Sequence, residues 1–127
     1  MTSSKLLHNV SCTVSCDGKV LVHNVVYCDH LLRQGTGLMF RSRNSVNDTV
    51  WWFRFKSPRK VTITMFFVFF PIDVIFLDDK DRIIEIRQDL KPFTNYTSKN
   101  EVHAFIELEK GVVKNRSLRV GMRLSCR

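Results

Sequence analysis

Apolar and polar positions alternate in twos along most of the chain, the spacing that puts one face of a strand against a core. Val10, Cys12, Val14 and Cys16 alternate with polar or small neighbours. Asp17-Gly18 then supplies the residue pair of a tight hairpin turn, and residues 20–27 return as a second strand. Between 29 and 40 the spacing changes: Leu31, Leu32 and Leu38 suit a short helix or turn interrupted by Gly35 and Gly37, and 41–48 reads as a polar loop. Residues 50–55 predict a strand with Phe53 and Phe55 on one face and Trp52 and Arg54 on the other. After a turn at 57–60, residues 61–70 are apolar on both faces and predict a strand between two layers. Pro71, with no amide donor, marks a bulge or strand end. The strand resumes over 72–77, turns at 78–81 and returns over 82–87, and 88–101 reads as a polar surface loop. Val102, Ala104, Ile106 and Leu108 alternate cleanly, which turns His103, Glu107 and Glu109 toward solvent. Leu118, Val120, Met122 and Leu124 predict a closing strand with Arg119 and Arg123 facing outward.

Seven or eight short strands, no βαβ rhythm and no repeats predict a mostly β fold. The expected form is an antiparallel β-sandwich, jelly-roll-like, or a partly open barrel with one or two short helical turns. The 127 residues suit a single domain, with residues 1–9 as a flexible tail. The most apolar run, 65–77, is broken by Pro71 and Asp73 and falls short of the roughly 20 residues of a membrane span, so no membrane partner is expected. No stretch near the N-terminus suits a signal peptide. Cys12, Cys16, Cys28 and Cys126 therefore read as reduced thiols of a cytoplasmic protein. The four Asn-X-Ser/Thr sequences at Asn9, Asn47, Asn95 and Asn115 read as incidental.

Twenty Lys and Arg against twelve Asp and Glu give a net charge of +8, unevenly spread. Residues 110–127 carry six cations and no acid, and 41–60 carry six more against Asp48 alone. Such a balance favours anionic partners: nucleic acid, acidic proteins or a lipid surface.

Several segments together carry a family pattern. Gly37-Leu38-Met39-Phe40-Arg41 follows a short helical segment containing Arg33. The phenylalanine-rich run from Met65 leads into Pro71-Ile72-Asp73, and Glu107-Leu108-Glu109-Lys110-Gly111 precedes a last strand around Val120-Gly121. In order and spacing, over residues 20–124, the chain resembles the small prokaryotic family of domain of unknown function 192, in its archaeal form. Only Met65 matches the Trp-Met-Lys-Asn-Thr-like stretch of many members, and Gly121-Met122 stands where Gly-Asp is usual. The resemblance implies a compact, jelly-roll-like β-sandwich and no established activity.

Asp73 is the most informative single residue, because a carboxylate between Ile72 and Val74 must be hydrogen-bonded or paired. It is either an acceptor for loop amides or the acid of a ligand cleft formed with Met39, Arg41 and Met65. A small molecule or a peptide end would occupy that cleft, making the protein a non-enzymatic binding module. A second reading is association with nucleic acid through a basic, aromatic face of Trp52, Arg54, Lys56, Arg119 and Arg123. A third is a hydrolase using Asp73 and Glu107, which requires the two carboxyls within roughly 5–10 Å. Cys12, Cys16, Cys28 and His30 lack zinc-knuckle spacing. No metal, organic cofactor or catalytic residue is assigned, and the oligomeric state is left open.

Overall fold

The computed structural model describes the backbone of residues 7–28 and 38–127, and the side chains of 13–28 and 38–127. In chain order these residues form β1 (Leu7–Cys16), β2 (Lys19–Cys28), a 3-10 turn (Arg43–Val46), β3 (Thr49–Arg59) and β4 (Thr62–Thr64). There follow β5 (Ile72–Leu77), β6 (Ile83–Leu90), β7 (Asn95–Thr97), β8 (Val102–Glu109), a one-turn helix α1 (Val112–Asn115) and β9 (Leu124–Cys126). Seven strands make one sheet in the order β6-β5-β8-β3-β2-β1-β9, and β4 pairs with β7 in a small second sheet. The large sheet curls into a half-barrel whose edges touch. The Ile83 amide donates to the Met122 carbonyl at 2.7 Å, the Leu124 amide to Asp81 at 2.9 Å, and Arg82 bridges Arg123.

Most of the predicted strands are present, and the differences have local causes. Asp17-Gly18 turns the first hairpin with both residues at positive φ, the type I′ geometry that matches strand twist. Leu7, His8 and Asn9 belong to β1, paired with Cys28, Tyr27 and Val26, rather than to a free tail. β2 and β3 run parallel. A parallel pair needs a long crossover, and the chain between Cys28 and Thr49 provides it. The helical turn expected around Leu31 and Leu32 lies outside the described residues. Residues 61–70 are not one strand: after β4 the chain folds back, Val68 bonding to the Met65 carbonyl at 3.0 Å. Met65, Val68 and Phe70 go inward, while Phe66, Phe67 and Phe69 stay exposed. The closing strand is confined to Leu124–Cys126, because left-handed backbone at Ser117 and Gly121 breaks residues 117–122 into turns. Cys126 is disulfide-bonded, which corrects the expectation of four reduced thiols.

β5 is buried at all six residues, as the middle of two apolar layers requires. On one face Ile72, Val74 and Phe76 join Phe53, Phe105 and Trp51 under a cover of Leu38, Val46, Ile63, Met65 and Val68. On the other, Ile75 and Leu77 join Trp52, Ile106 and Leu108 inside the half-barrel, with Val14, Val22, Val113 and Leu124.

Four polar side chains are buried among the described residues: Asp73, Glu85, Ser98 and Glu107. Asp73 accepts three backbone amides, from Asp89 at 2.9 Å, Gly111 at 3.0 Å and Val113 at 3.1 Å. It thus ties the end of β6 and the start of α1 to β5. Glu85 accepts the Tyr96 hydroxyl, the Lys99 and Asn100 amides and the Asn100 side chain. Burial pushes its carboxyl up, but those hydrogen bonds outweigh it and hold the group below the usual range. Glu107 is the exception. Expected on the solvent side, it lies between Trp51 and Val74 in the covered layer, 2% exposed, with no hydrogen-bond partner for Oε1. The reason is that β8 is covered on both faces, so its polar side has no water to meet. Burial pushes this carboxyl from 4.5 up to about 8.

Two outcomes are expected. Asp73→Ala strands three amides and should lower unfolding stability by about 3 kcal/mol or more, read from urea melts. Glu107 binds its proton more tightly folded than unfolded, so its contribution is full below pH 4.5 and is lost as pH rises through about 8. Wild-type stability should therefore fall by on the order of 4 kcal/mol between those limits, and Glu107→Gln should flatten that slope. Equal slopes for both proteins would show that Glu107 is not a buried neutral acid.

Candidate ligand cleft

The sequence-derived residues are not brought together as expected. Met65 is fully buried in the covered layer, and the Arg41 guanidinium lies 4.9 Å from the centre of the Trp51 ring on that same side. Met39 is half-buried in the adjoining turn. Asp73 alternates onto the opposite, half-barrel face with Ile75 and Leu77, so the four residues do not line one cleft. Alternation also separates Asp73 from Glu107: Asp73 pairs with Leu108 and Val74 with Glu107, on opposite faces of the sheet. The hydrolase reading, which needs both carboxyls around one bond, is removed.

The aromatic basic face changes too. Trp52 is 2% exposed, inside the half-barrel, and cannot stack on a base. Arg54 covers its ring at 5.4 Å and bonds Asp81 at 3.0 Å. The Arg123 Nε donates to the Lys80 carbonyl at 2.9 Å. Lys56 is exposed on β3, and Arg119 is exposed in the turns after α1. Of the thiols whose side chains are described, Cys16 lies in the half-barrel core and Cys28 in the covered layer, on different faces.

What the fold does build is a cleft of about 770 Å³ at the end of the half-barrel, between the β1–β2 turn and residues 113–122. One wall begins at Asp73. Its bonds to the Gly111 and Val113 amides set α1, and the Leu118 amide bonding to Val113 at 3.0 Å brings the chain back over the barrel end. The other wall is the hairpin. Asp17 is held to Arg123 there, Oδ1 accepting its amide at 3.4 Å and the Asp17 amide donating back at 3.3 Å. Leu21, Val113, Leu118 and Met122 supply apolar lining, and Lys19, Lys114, Arg116 and Arg119 bring four cations against the single acid Asp17. A smaller cleft of about 400 Å³ shares Leu21, Asn115 and Arg116 with it and adds Asp48 and Glu109.

The thiol of this cleft, Cys16, is pushed up to about 11, first by burial and then by the Asp17 charge, and is no nucleophile near neutrality. Its acid is occupied in holding Arg123. Four exposed cations beside an apolar lining suit an anion with an apolar body. Of the cleft residues, only Arg119 was singled out from sequence. The run of cations without acids over 110–127 was the available signal, but alternation assigned it to a strand.

Comparison with known proteins agrees on fold and family. A crystal structure described as a "putative transcription regulator" from Sinorhizobium meliloti superposes with a TM-score of 0.75 at 21% identity, covering 94% of this chain and 95% of that one. A protein of unknown function from Novosphingobium aromaticivorans superposes with a TM-score of 0.68 at 20% identity, over 92% and 84%. A UPF0127 protein from Pyrococcus furiosus is 27% identical over 107 residues, 84% of this chain and 90% of that protein. The model of DUF192, described as "Uncharacterized ACR", matches residues 12–126, and the chain belongs to that family.

Proposed function

We propose that the protein is a non-enzymatic binding module that takes a small anionic ligand with an apolar body into the cleft between the β1–β2 turn and residues 113–122. The observation that carries this is the lining itself. Lys19, Lys114, Arg116 and Arg119 are exposed around an apolar floor, and among the described residues no ion pair or hydrogen bond engages their side chains. A carboxylate or phosphate there gains charge-assisted hydrogen bonds, and its apolar part covers Leu118 and Met122. A peptide C-terminus meets the same description as a fatty or alkyl anion.

Association with nucleic acid is the second reading. The same cations and the net charge of +8 favour it. The burial of Trp52 takes away its stacking element. A cytoplasmic place for the protein is part of the proposal. The disulfide at Cys126 does not add to that part, since such bonds are commoner in oxidising compartments.

Titration of nitrogen-15-labelled protein with octyl phosphate tests the first reading. Amide shifts should concentrate in residues 113–119, and Lys114→Glu with Arg116→Glu should weaken binding about tenfold or more. Shifts elsewhere, or none, would overturn it. A single-stranded oligonucleotide that binds instead, with affinity falling steeply with salt, would favour the second reading.

A further inference from the structure

Five exposed phenylalanines gather on three loops outside the cleft. Phe40, Phe66, Phe67, Phe69 and Phe93 are 69%, 55%, 36%, 59% and 48% exposed. Their rings form one connected group: Phe40 stacks on Phe67 with centroids 4.7 Å apart, Phe66 and Phe93 meet Phe67 edge-on, and Phe69 meets Phe93 at 5.4 Å. The backbone fixes this arrangement. The Phe40 amide donates to the Phe67 carbonyl, the Phe93 amide to Met65 and the Met65 amide to Thr94, each at 2.8 Å. Behind the group Met65, Val68 and Phe70 are buried, so the outward rings stand on a packed base.

The conformation here is unusual for the residue type. Eight non-glycine residues have positive φ among the described residues, and five of them are Asp or Ser, which tolerate it. The other three are Phe40, Phe67 and Phe93, at 62°, 57° and 59°, all in this group. A bulky side chain is rare in that region. A polar turn would be made more easily by Gly or Asn, so the strain is held where it displays aromatic rings to solvent.

We propose that this aromatic group is a membrane-docking surface that inserts into the interface of an anionic lipid bilayer. Charge selects that occupant. The three loops, residues 38–43, 65–70 and 91–94, contain Arg41, Arg43 and Lys91 and no acid. The neighbouring Asp89 is flanked by two cations, Lys91 at 2.7 Å and Lys110 at 3.5 Å, so the rim of the group keeps a net positive charge. A second copy docked on this face would set the same cations against each other, whereas lipid phosphates meet them while the acyl boundary takes the rings. No helix among the described residues is long and apolar enough to cross a membrane, and docking of this kind requires none. The docking surface does not depend on what the cleft binds.

Vesicle sedimentation tests it, comparing phosphatidylcholine alone with phosphatidylcholine containing phosphatidylglycerol. The wild type should pellet with the anionic vesicles, and Phe66→Ser with Phe69→Ser should reduce partitioning about tenfold or more. Neither position is at positive φ and both are exposed, so the melting temperature should hold; if it does not, Phe69→Ser alone reads the same loss in smaller measure. No binding to anionic vesicles overturns the proposal. So does binding indifferent to the Phe substitutions, or a concentration-dependent dimer that those substitutions abolish.

Discussion

β5 is buried along its whole length, so the sheet must carry an apolar layer on each face, and the chain makes the two layers differently. On one side the sheet covers itself: β1, β2 and β9 curl round until residues 121–124 meet the start of β6. On the other side the cover comes from turns and the small β4–β7 sheet, which contribute Leu38, Val46, Ile63, Met65 and Val68. A cover made of turns must send some side chains outward for each that it sends in. That is why residues 65–70 bury three apolar side chains and expose three phenylalanines.

The same double cover decides the fate of polar groups on the inner strands. Asp73 faces the half-barrel near its open end, where the chain returns to offer three amides. It is therefore a fixed point around which the end of β6 and the start of α1 are arranged. Glu107 faces the turn-built cover, where no donor reaches Oε1, and burial raises its proton affinity. Trp52 Nε1 is likewise unpartnered. The central strands thus hold one well-satisfied carboxylate and one unsatisfied one, a side-chain spacing apart in sequence pairing but separated by the sheet.

This explains what could be read from the sequence. Alternation locates β1, β2, β3, β5, β6 and β8, because period two depends only on each strand having distinct faces. It also finds both hairpin turns, since Asp17-Gly18 and the run from Asp78 are local chemistry. Alternation does not say how many faces are covered. Glu107 and Trp52 therefore read as facing solvent, although both lie where their strands are covered on both faces. Residues 61–70 misled for the complementary reason: a run apolar at every position fits a doubly buried strand, but equally a turn that puts apolar groups on both sides. Met65 and Val68, three apart and both inward, were the available sign of the turn. The cleft was hidden because the alternation of Leu118, Val120, Met122 and Leu124 reads as a strand, whereas the path of residues 113–122 is set by Asp73, forty residues earlier.

The positive charge divides along the same lines. Arg54, Arg123, Lys91 and Lys110 are engaged by Asp81, the Lys80 carbonyl and Asp89. Such exposed contacts are screened by solvent, so they orient side chains more than they hold the fold. Lys114, Arg116 and Arg119, by contrast, stand within six residues of one another with no acid between them. Their mutual repulsion opposes folding of that segment, and Asp73 holds its start in place regardless. Repulsion of this kind is relieved by any anion that enters among the three charges, so part of the binding free energy of such a ligand is already stored in the empty cleft. An anion held among those charges would be held more tightly as salt is lowered, because screening weakens its attraction to them.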